Sequence, residues 1–132
     1  MEYQNRKYTF LGDIQASTFL MYLVDESNPE DYKLIYQKLS DKNQFCMIVV
    51  AIHDWQGELS PWAAPAIFGK HDFAGNASLL LSELERFWDW FQSDNQVETD
   101  RLYLCGYSLA GLFALWSSCQ TNLFKKVAAV SP

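Results

Sequence analysis

The sequence predicts an α/β fold: a mostly parallel sheet with helices on both faces, in three αβα layers. Apolar runs of strand length alternate with segments of helical periodicity, in the order strand, helix, strand, helix, strand, helix, strand. That alternation is the pattern of parallel strands joined by helical crossovers. The runs are apolar at consecutive rather than alternate positions, so both faces of the sheet are expected to be covered. Apolar residues make up 49% and aromatic residues 16% of 132 residues, enough for one real core in a single domain spanning 1–132.

The elements follow in order. Tyr8 to Leu11 reads as a short first strand, with Gly12 and Asp13 as a turn. Ser17 to Val24 (STFLMYLV) is the second strand. Asn28-Pro29-Glu30-Asp31 opens a helix: Asn28 suits the cap, Pro29 the first turn, and the two acids complement the helix dipole. Leu34, Ile35 and Leu39, with Tyr32 and Tyr36, are its expected buried stripe. Phe45 to Ile52 (FCMIVVAI) is the clearest central strand. His53 to Gly75 is a long loop, and loops of that length in compact domains are commonly functional. Its Trp55, Trp62, Phe68 and Phe73 predict that it is packed rather than loose. Asn76 starts a helix with Leu80, Leu84, Phe87, Trp88 and Phe91 at helical spacing, and Asp94-Asn95 ends it. Arg101 to Cys105 is a strand and Gly106 to Gly111 a tight turn. Leu109 to Cys119 is a helix apolar nearly all round, hence expected buried. Lys126 to Val130 is the last strand.

Charge and composition exclude several function classes. The formal net charge of −6 provides no basic footprint for nucleic acid. No apolar run approaches a membrane span, and Met1 to Phe10 lacks the pattern of a signal peptide. Cys46, Cys105 and Cys119 have no CxxC spacing and read as buried, reduced thiols of a cytoplasmic protein. No cofactor or metal is implied: the pairs His53-Asp54 and His71-Asp72 lack helical i, i+4 histidine spacing.

Chemistry concentrates in Leu104-Cys105-Gly106-Tyr107-Ser108-Leu109-Ala110-Gly111. A strand runs into a sharp turn bearing a serine, and a helix follows at once, which is the layout of a nucleophile elbow. Residues two positions either side of such a serine must be tiny because strand and helix nearly touch. Gly106 and Ala110 meet that demand, although the usual pattern G-x-S-x-G has glycine in place of Ala110. On this reading Ser108 is the nucleophile and the Leu109 N–H, at the helix N-terminus, is an oxyanion donor. Two other readings of the turn are a purely structural strand-to-helix bend and a phosphate-binding turn. The second lacks both G-x-G-x-x-G and G-K-[ST].

The stretch Gly106 to Trp116 resembles the elbow and following helix of bacterial esterases of the α/β-hydrolase superfamily. His53-Asp54-Trp55 and Leu59-Ser60-Pro61-Trp62-Ala63-Ala64-Pro65 resemble the long loop after the fourth strand of that group, and Val127 to Pro132 resembles its sixth strand. The resemblance implies an incomplete α/β-hydrolase fold and a carboxylesterase-like activity on a small-molecule ester. It places the second oxyanion donor in the turn after the second apolar strand, at the backbone of Asp25 or Glu26. Trp62 and Trp55 lie at the carboxyl ends of the strands, where open sheets bind ligands, and with Tyr107 are the candidate substrate-binding residues; the alternative, favoured for Trp55, is that the tryptophans only pack the loop onto the sheet. The superfamily order is serine, acid, histidine, yet His53 and His71 both precede Ser108, so the acid and base are expected beyond residue 132. His53 is the alternative base if the order is unconventional. A chain without its base is expected to turn over little. The main rival is a non-catalytic binding fragment that self-associates through an uncovered sheet edge; a flavodoxin-like nucleotide binder is a third reading.

Overall fold

The computed structural model describes residues 1–29, 32–65 and 72–131. Strands β1 (Glu2–Tyr3), β2 (Arg6–Leu11) and β3 (Phe19–Asp25) come first, then helix α1 (Tyr32–Ser40) and β4 (Cys46–Ile52). A short helix α2 (Trp55–Leu59) precedes two small strands, β5 (Ala63–Ala64) and β6 (Phe73–Ala74). Helix α3 (Ala77–Asn95), β7 (Leu102–Tyr107), α4 (Leu109–Gln120) and β8 (Lys126–Val130) complete the order.

The main sheet has six strands in the order β1-β2-β4-β3-β7-β8. Its β4, β3, β7 and β8 are mutually parallel, and β2 and β1 add an antiparallel edge. The mostly parallel sheet is therefore as expected, and the antiparallel hairpin was not anticipated. All seven residues of β4 are buried, because both of its faces are covered. Alternate side chains face opposite ways. Phe19, Met21, Leu23, Cys46, Ile48, Val50, Leu102 and Leu104 join α3 and α4 in the large core, while Tyr22, Val24, Met47 and Val49 meet α1. Phe87 of α3 stacks on Tyr8 with ring centroids 3.7 Å apart, tying the antiparallel hairpin to the same core.

Several expectations are corrected. The strand expected at Tyr8 to Leu11 is β2, preceded by β1, and it begins at Arg6, because Arg6 and Tyr8 both point inward from a period-two strand. Only part of the α1 stripe is right: Tyr32, Ile35 and Tyr36 pack on the sheet, whereas Leu34 (46% exposed) and Leu39 (42%) face outward. Glu30 and Asp31 lie outside the described residues. The loop 53–75 contains α2 and the β5–β6 ladder, because Gly75 N–H bonds Ser60 Oγ (2.9 Å) and Asn76 N–H bonds the Gly57 carbonyl (2.9 Å). Phe68 is outside the described residues. Strand β7 runs on to Tyr107, through Gly106. Helix α4 buries Ala110, Gly111, Phe113, Ala114 and Ser117 but exposes Leu115, so it is not buried all round. Cys46 is buried, its thiol pushed up to about 12 by burial, with Asp13 adding to the shift. Cys119, expected buried, is exposed on the last turn of α4.

Candidate active site

The carboxyl end of β7 delivers Ser108 into the turn before α4. Ser108 adopts φ +59° and ψ −122°, a sparsely populated conformation that costs a side-chain-bearing residue about 1–3 kcal/mol. Its N–H is held by the Val130 carbonyl (2.8 Å), and its carbonyl accepts from Gly111 N–H (2.9 Å) and Leu112 N–H (3.2 Å). The side chain makes no capping bond and the residue is exposed. The backbones on either side of the bend nearly touch. A β-carbon on Gly106 would overlap the Ala110 carbonyl and come within 2.9 Å of the Ala110 β-carbon. Leu109 packs its side chain on the core, and its N–H is among the first of α4, which have no intrahelical acceptor. Tyr107 is exposed beside the serine.

The neighbouring strand end belongs to β3. Phe19 N–H donates toward β7, to the Arg101 carbonyl (2.9 Å), and Glu26 N–H donates toward β4, to the Ile52 carbonyl (3.0 Å). Backbone N–H groups alternate between neighbours along a strand. Asp25, an even number of residues after Phe19, therefore turns its N–H toward β7. Asp25 and Ser108 each lie three residues beyond the last paired residues, Tyr22 opposite Cys105. Of the two expected oxyanion residues, Glu26 is thereby corrected: its N–H is used in the sheet. The Asp25 side chain folds back, accepting from Ser27 N–H (3.0 Å) and Ser27 Oγ (2.8 Å).

His53 stands at the end of β4. Since β3 lies between β4 and β7, it is two strands from the serine strand, about 10 Å at ordinary strand spacing. Its Nδ1 is 2.7 Å from Glu26 Oε2 and its Nε2 is 2.8 Å from the Asn5 carbonyl oxygen. The Glu26 bond raises the His53 pKa above its ordinary value; partial burial opposes, the Asn5 carbonyl adds, and the Arg6 charge opposes. With one nitrogen engaged by Glu26 and the other by Asn5, His53 is not placed as the base for Ser108. His71 lies outside the described residues.

Behind His53 sits a charge network that the sequence reading missed. Arg6, only 3% exposed, donates to the Ala51 carbonyl (2.8 Å), to Glu58 Oε1 (2.5 Å) and to Glu83 Oε2 (3.0 Å). Glu58 Oε2 in turn accepts from the His53 N–H (2.9 Å) and the Asp54 N–H (3.1 Å). Burial alone would raise the Glu58 pKa, but the Arg6 bond and charge, with the two backbone donors, hold it below the usual carboxylate value. One signal was available: Arg6, Tyr8 and Phe10 alternate on the inward side of a strand-like stretch.

Trp55 packs against the large core and lines an open depression of about 390 Å³ with Asp25, Ser27, His53, Asp54 and Gln56. Trp62 is 64% exposed, so the expectation that it packs its loop is corrected. Among the described residues no cluster of histidine, cysteine and carboxylate groups is built to hold a metal ion, and no helix is long and apolar enough to cross a membrane.

No protein-family model matches the sequence, and no curated protein matches it. Solved structures do. An IroE-like serine hydrolase from Shewanella oneidensis superposes with a TM-score of 0.72 at 17% identity, over 94% of this chain and 45% of that one. The siderophore hydrolase EstA from Aspergillus nidulans gives 0.60 at 22% identity, over 86% and 45%. The fluorophosphonate-binding serine hydrolase FphF of Staphylococcus aureus gives 0.51 at 13% identity, over 94% and 56%. The chain thus spans about half the length of these proteins. Over that length its fold is the fold of esterase-like serine hydrolases.

Proposed function

We propose that the chain carries the nucleophile and oxyanion-binding part of a carboxylesterase-like site, with Ser108 as the nucleophile. One observation carries the reading: Ser108 is held at positive φ on a strand-to-helix bend where Gly106 has no room for a β-carbon against Ala110, in a fold shared with serine hydrolases. The hydroxyl attacks a small-molecule ester carbonyl. The developing oxyanion is received by the N–H groups of Leu109 and Asp25. Tyr107, Trp55 and Trp62 border the approach and supply apolar surface for the ester. Among the described residues, the base that takes the serine proton is not identified, since His53 is committed to Glu26 and Asn5. A nucleophile without its base reacts slowly, helped only by the oxyanion site.

Labelling with a fluorophosphonate probe, mapped by peptide mass spectrometry, tests this. Slow modification at Ser108 that disappears in Ser108→Ala is the expected result. Complete inertness overturns the assignment of Ser108. Rapid stoichiometric labelling overturns the reading that no base stands beside it.

A second reading, self-association, is favoured by the place of β8 at the sheet edge, where among the described residues it pairs with β7 alone and exposes Val130. A monomer in size-exclusion chromatography across a wide concentration range removes it.

A further inference from the structure

The contact between His53 and its two partners has a chemical requirement. The Asn5 carbonyl oxygen only accepts hydrogen bonds, and so does an ionised Glu26 carboxylate. Each imidazole nitrogen faces one of them, at 2.8 and 2.7 Å. A neutral imidazole carries one N–H and can serve only one acceptor. Both bonds together require the imidazolium, protonated at Nδ1 and Nε2.

The two acceptors belong to different parts of the sheet. Asn5 sits in the β1–β2 turn with φ +67°, and Glu26 directly follows Asp25 at the end of β3. From the geometry we infer that His53, as a doubly donating cation, is the positioning residue that fixes the Asp25–Glu26 turn, and that loss of its proton frees this turn. The inference rests on the assignment of the Asp25 N–H to the oxyanion site. His53 touches no reacting atom; it acts through the backbone that Glu26 shares with Asp25. The Glu26 N–H bond to Ile52 holds one side of the turn, and the His53 bridge holds the carboxylate on the other.

The charged groups around the imidazole set when the switch operates. From the end of β3 comes Asp25, in the depression beside His53, and from the residue after it Glu26. Asp54 is its chain neighbour, and Glu58 of α2 holds its backbone N–H. From β2, Arg6 opposes the charge, and Lys7 shares a depression with Glu26. The Glu26 bond outweighs Arg6, so the folded-state pKa lies above the ordinary value. A raised histidine pKa means that the bridge is complete below the unfolded value and is lost as pH rises through the folded one. A serine hydroxyl reacts through its alkoxide form, so its own reactivity rises with pH. The two trends have opposite signs, so they separate in one profile.

Two variants and two readouts test the inference on the whole chain. Nitrogen-15 NMR of the imidazole in the wild type should show both ring nitrogens protonated near pH 6, and the Asp25 and Glu26 amide shifts should titrate with the ring. In Glu26→Gln, a neutral imidazole keeps both bonds, Nδ1 accepting from the amide and Nε2–H donating to Asn5. The ring should still hold the turn there, and the pH step in the Asp25 amide should vanish. His53→Gln should lower the rate of fluorophosphonate labelling at pH 6 by about two- to fivefold, the range that an exposed ion pair supplies. That difference should close above the pKa of the ring. Asp25 and Glu26 amides that ignore the imidazole titration overturn the inference, whatever Ser108 does. If Ser108 labels in no variant while the amides titrate, the nucleophile assignment fails and the clamp stands.

Discussion

Two strand-to-helix turns lie at the same, carboxyl end of the parallel strands and are built from opposite materials. The β7–α4 turn is built from backbone and small volumes: Gly106 against Ala110, Ser108 at positive φ, and N–H to carbonyl bonds. The β4–α2 turn is built from side-chain charge. Asp54 caps α2 through Gly57 N–H (3.1 Å), Glu58 accepts from two backbone donors, and Arg6 neutralises Glu58 from β2. The first kind of turn is specified by sterics and should be indifferent to pH. The second is specified by electrostatics and should answer to it. On the proposed reading, the rigid bend would keep the Ser108 hydroxyl in place, and the charged turn would leave the neighbouring Asp25–Glu26 turn adjustable.

The largest break in this contrast comes from Arg6→Ala. Removing the guanidinium leaves Glu58 and Glu83 facing each other without their cation, and Glu58 is only 18% exposed. Breaking a buried pair from one side costs about 3–5 kcal/mol. The lower end is expected here because Glu83 keeps contact with water. Urea unfolding at pH 7 measures the loss. The acid side adds a second signature. The Glu58 pKa is depressed in the fold, so its contribution is present above the unfolded value of about 4.5 and is lost as pH falls through the folded one. Wild type should therefore lose stability in acid more steeply than Arg6→Ala.

Gly106→Ala probes the other turn. The added methyl meets the Ala110 backbone, which has no flexible end to move aside. Overpacking of this kind costs about 1–3 kcal/mol. The loss should be the same at pH 5 and pH 8, and equal midpoint shifts in urea at both values would check it. A cost that varied with pH would dissolve the contrast between the turns.

Ser108→Gly sharpens the same point with the opposite sign. Glycine relieves a positive-φ strain of about 1–3 kcal/mol, while the more flexible unfolded chain gives back about 0.4–1 kcal/mol. A net gain of about 1 kcal/mol is expected, together with loss of probe labelling. Thermal unfolding, read beside the labelling gel, measures both. A destabilised variant would mean that the bend is not strained.

These two turns also explain what was legible in the sequence. The β7–α4 bend is written within six consecutive residues, Gly106 to Gly111, and its demand for small neighbours is visible as letters. The consecutive apolar runs of β3 and β4 announced a sheet covered on both faces in the same direct way. The β4–α2 turn depends on Arg6, which is 52 positions from Glu58 and 77 from Glu83, so no local pattern reveals it. The His53–Glu26 bridge spans 27 positions and was hidden for the same reason. The α1 stripe was read one face too wide: leucine at helical spacing does not tell whether a sheet lies above it, and Leu34 and Leu39 turned out to face away from the strands.

The smallest expected effect separates local capping from the network behind it. Asp54 accepts from Gly57 N–H at the start of α2, a helix of five residues, and its own N–H donates to Glu58. Asp54→Ala removes the capping oxygen but leaves the backbone N–H and the Arg6–Glu58 contact in place. Loss of a cap costs about 0.5–2 kcal/mol, and about 1 kcal/mol or less is expected for so short a helix. Hydrogen exchange should show faster opening at Gly57, with little change at His53, whose N–H is held by Glu58 rather than by the cap. If exchange quickened equally at both positions, the cap and the charge network would be one cooperative unit, and the β4–α2 turn would be as indivisible as the bend at Ser108.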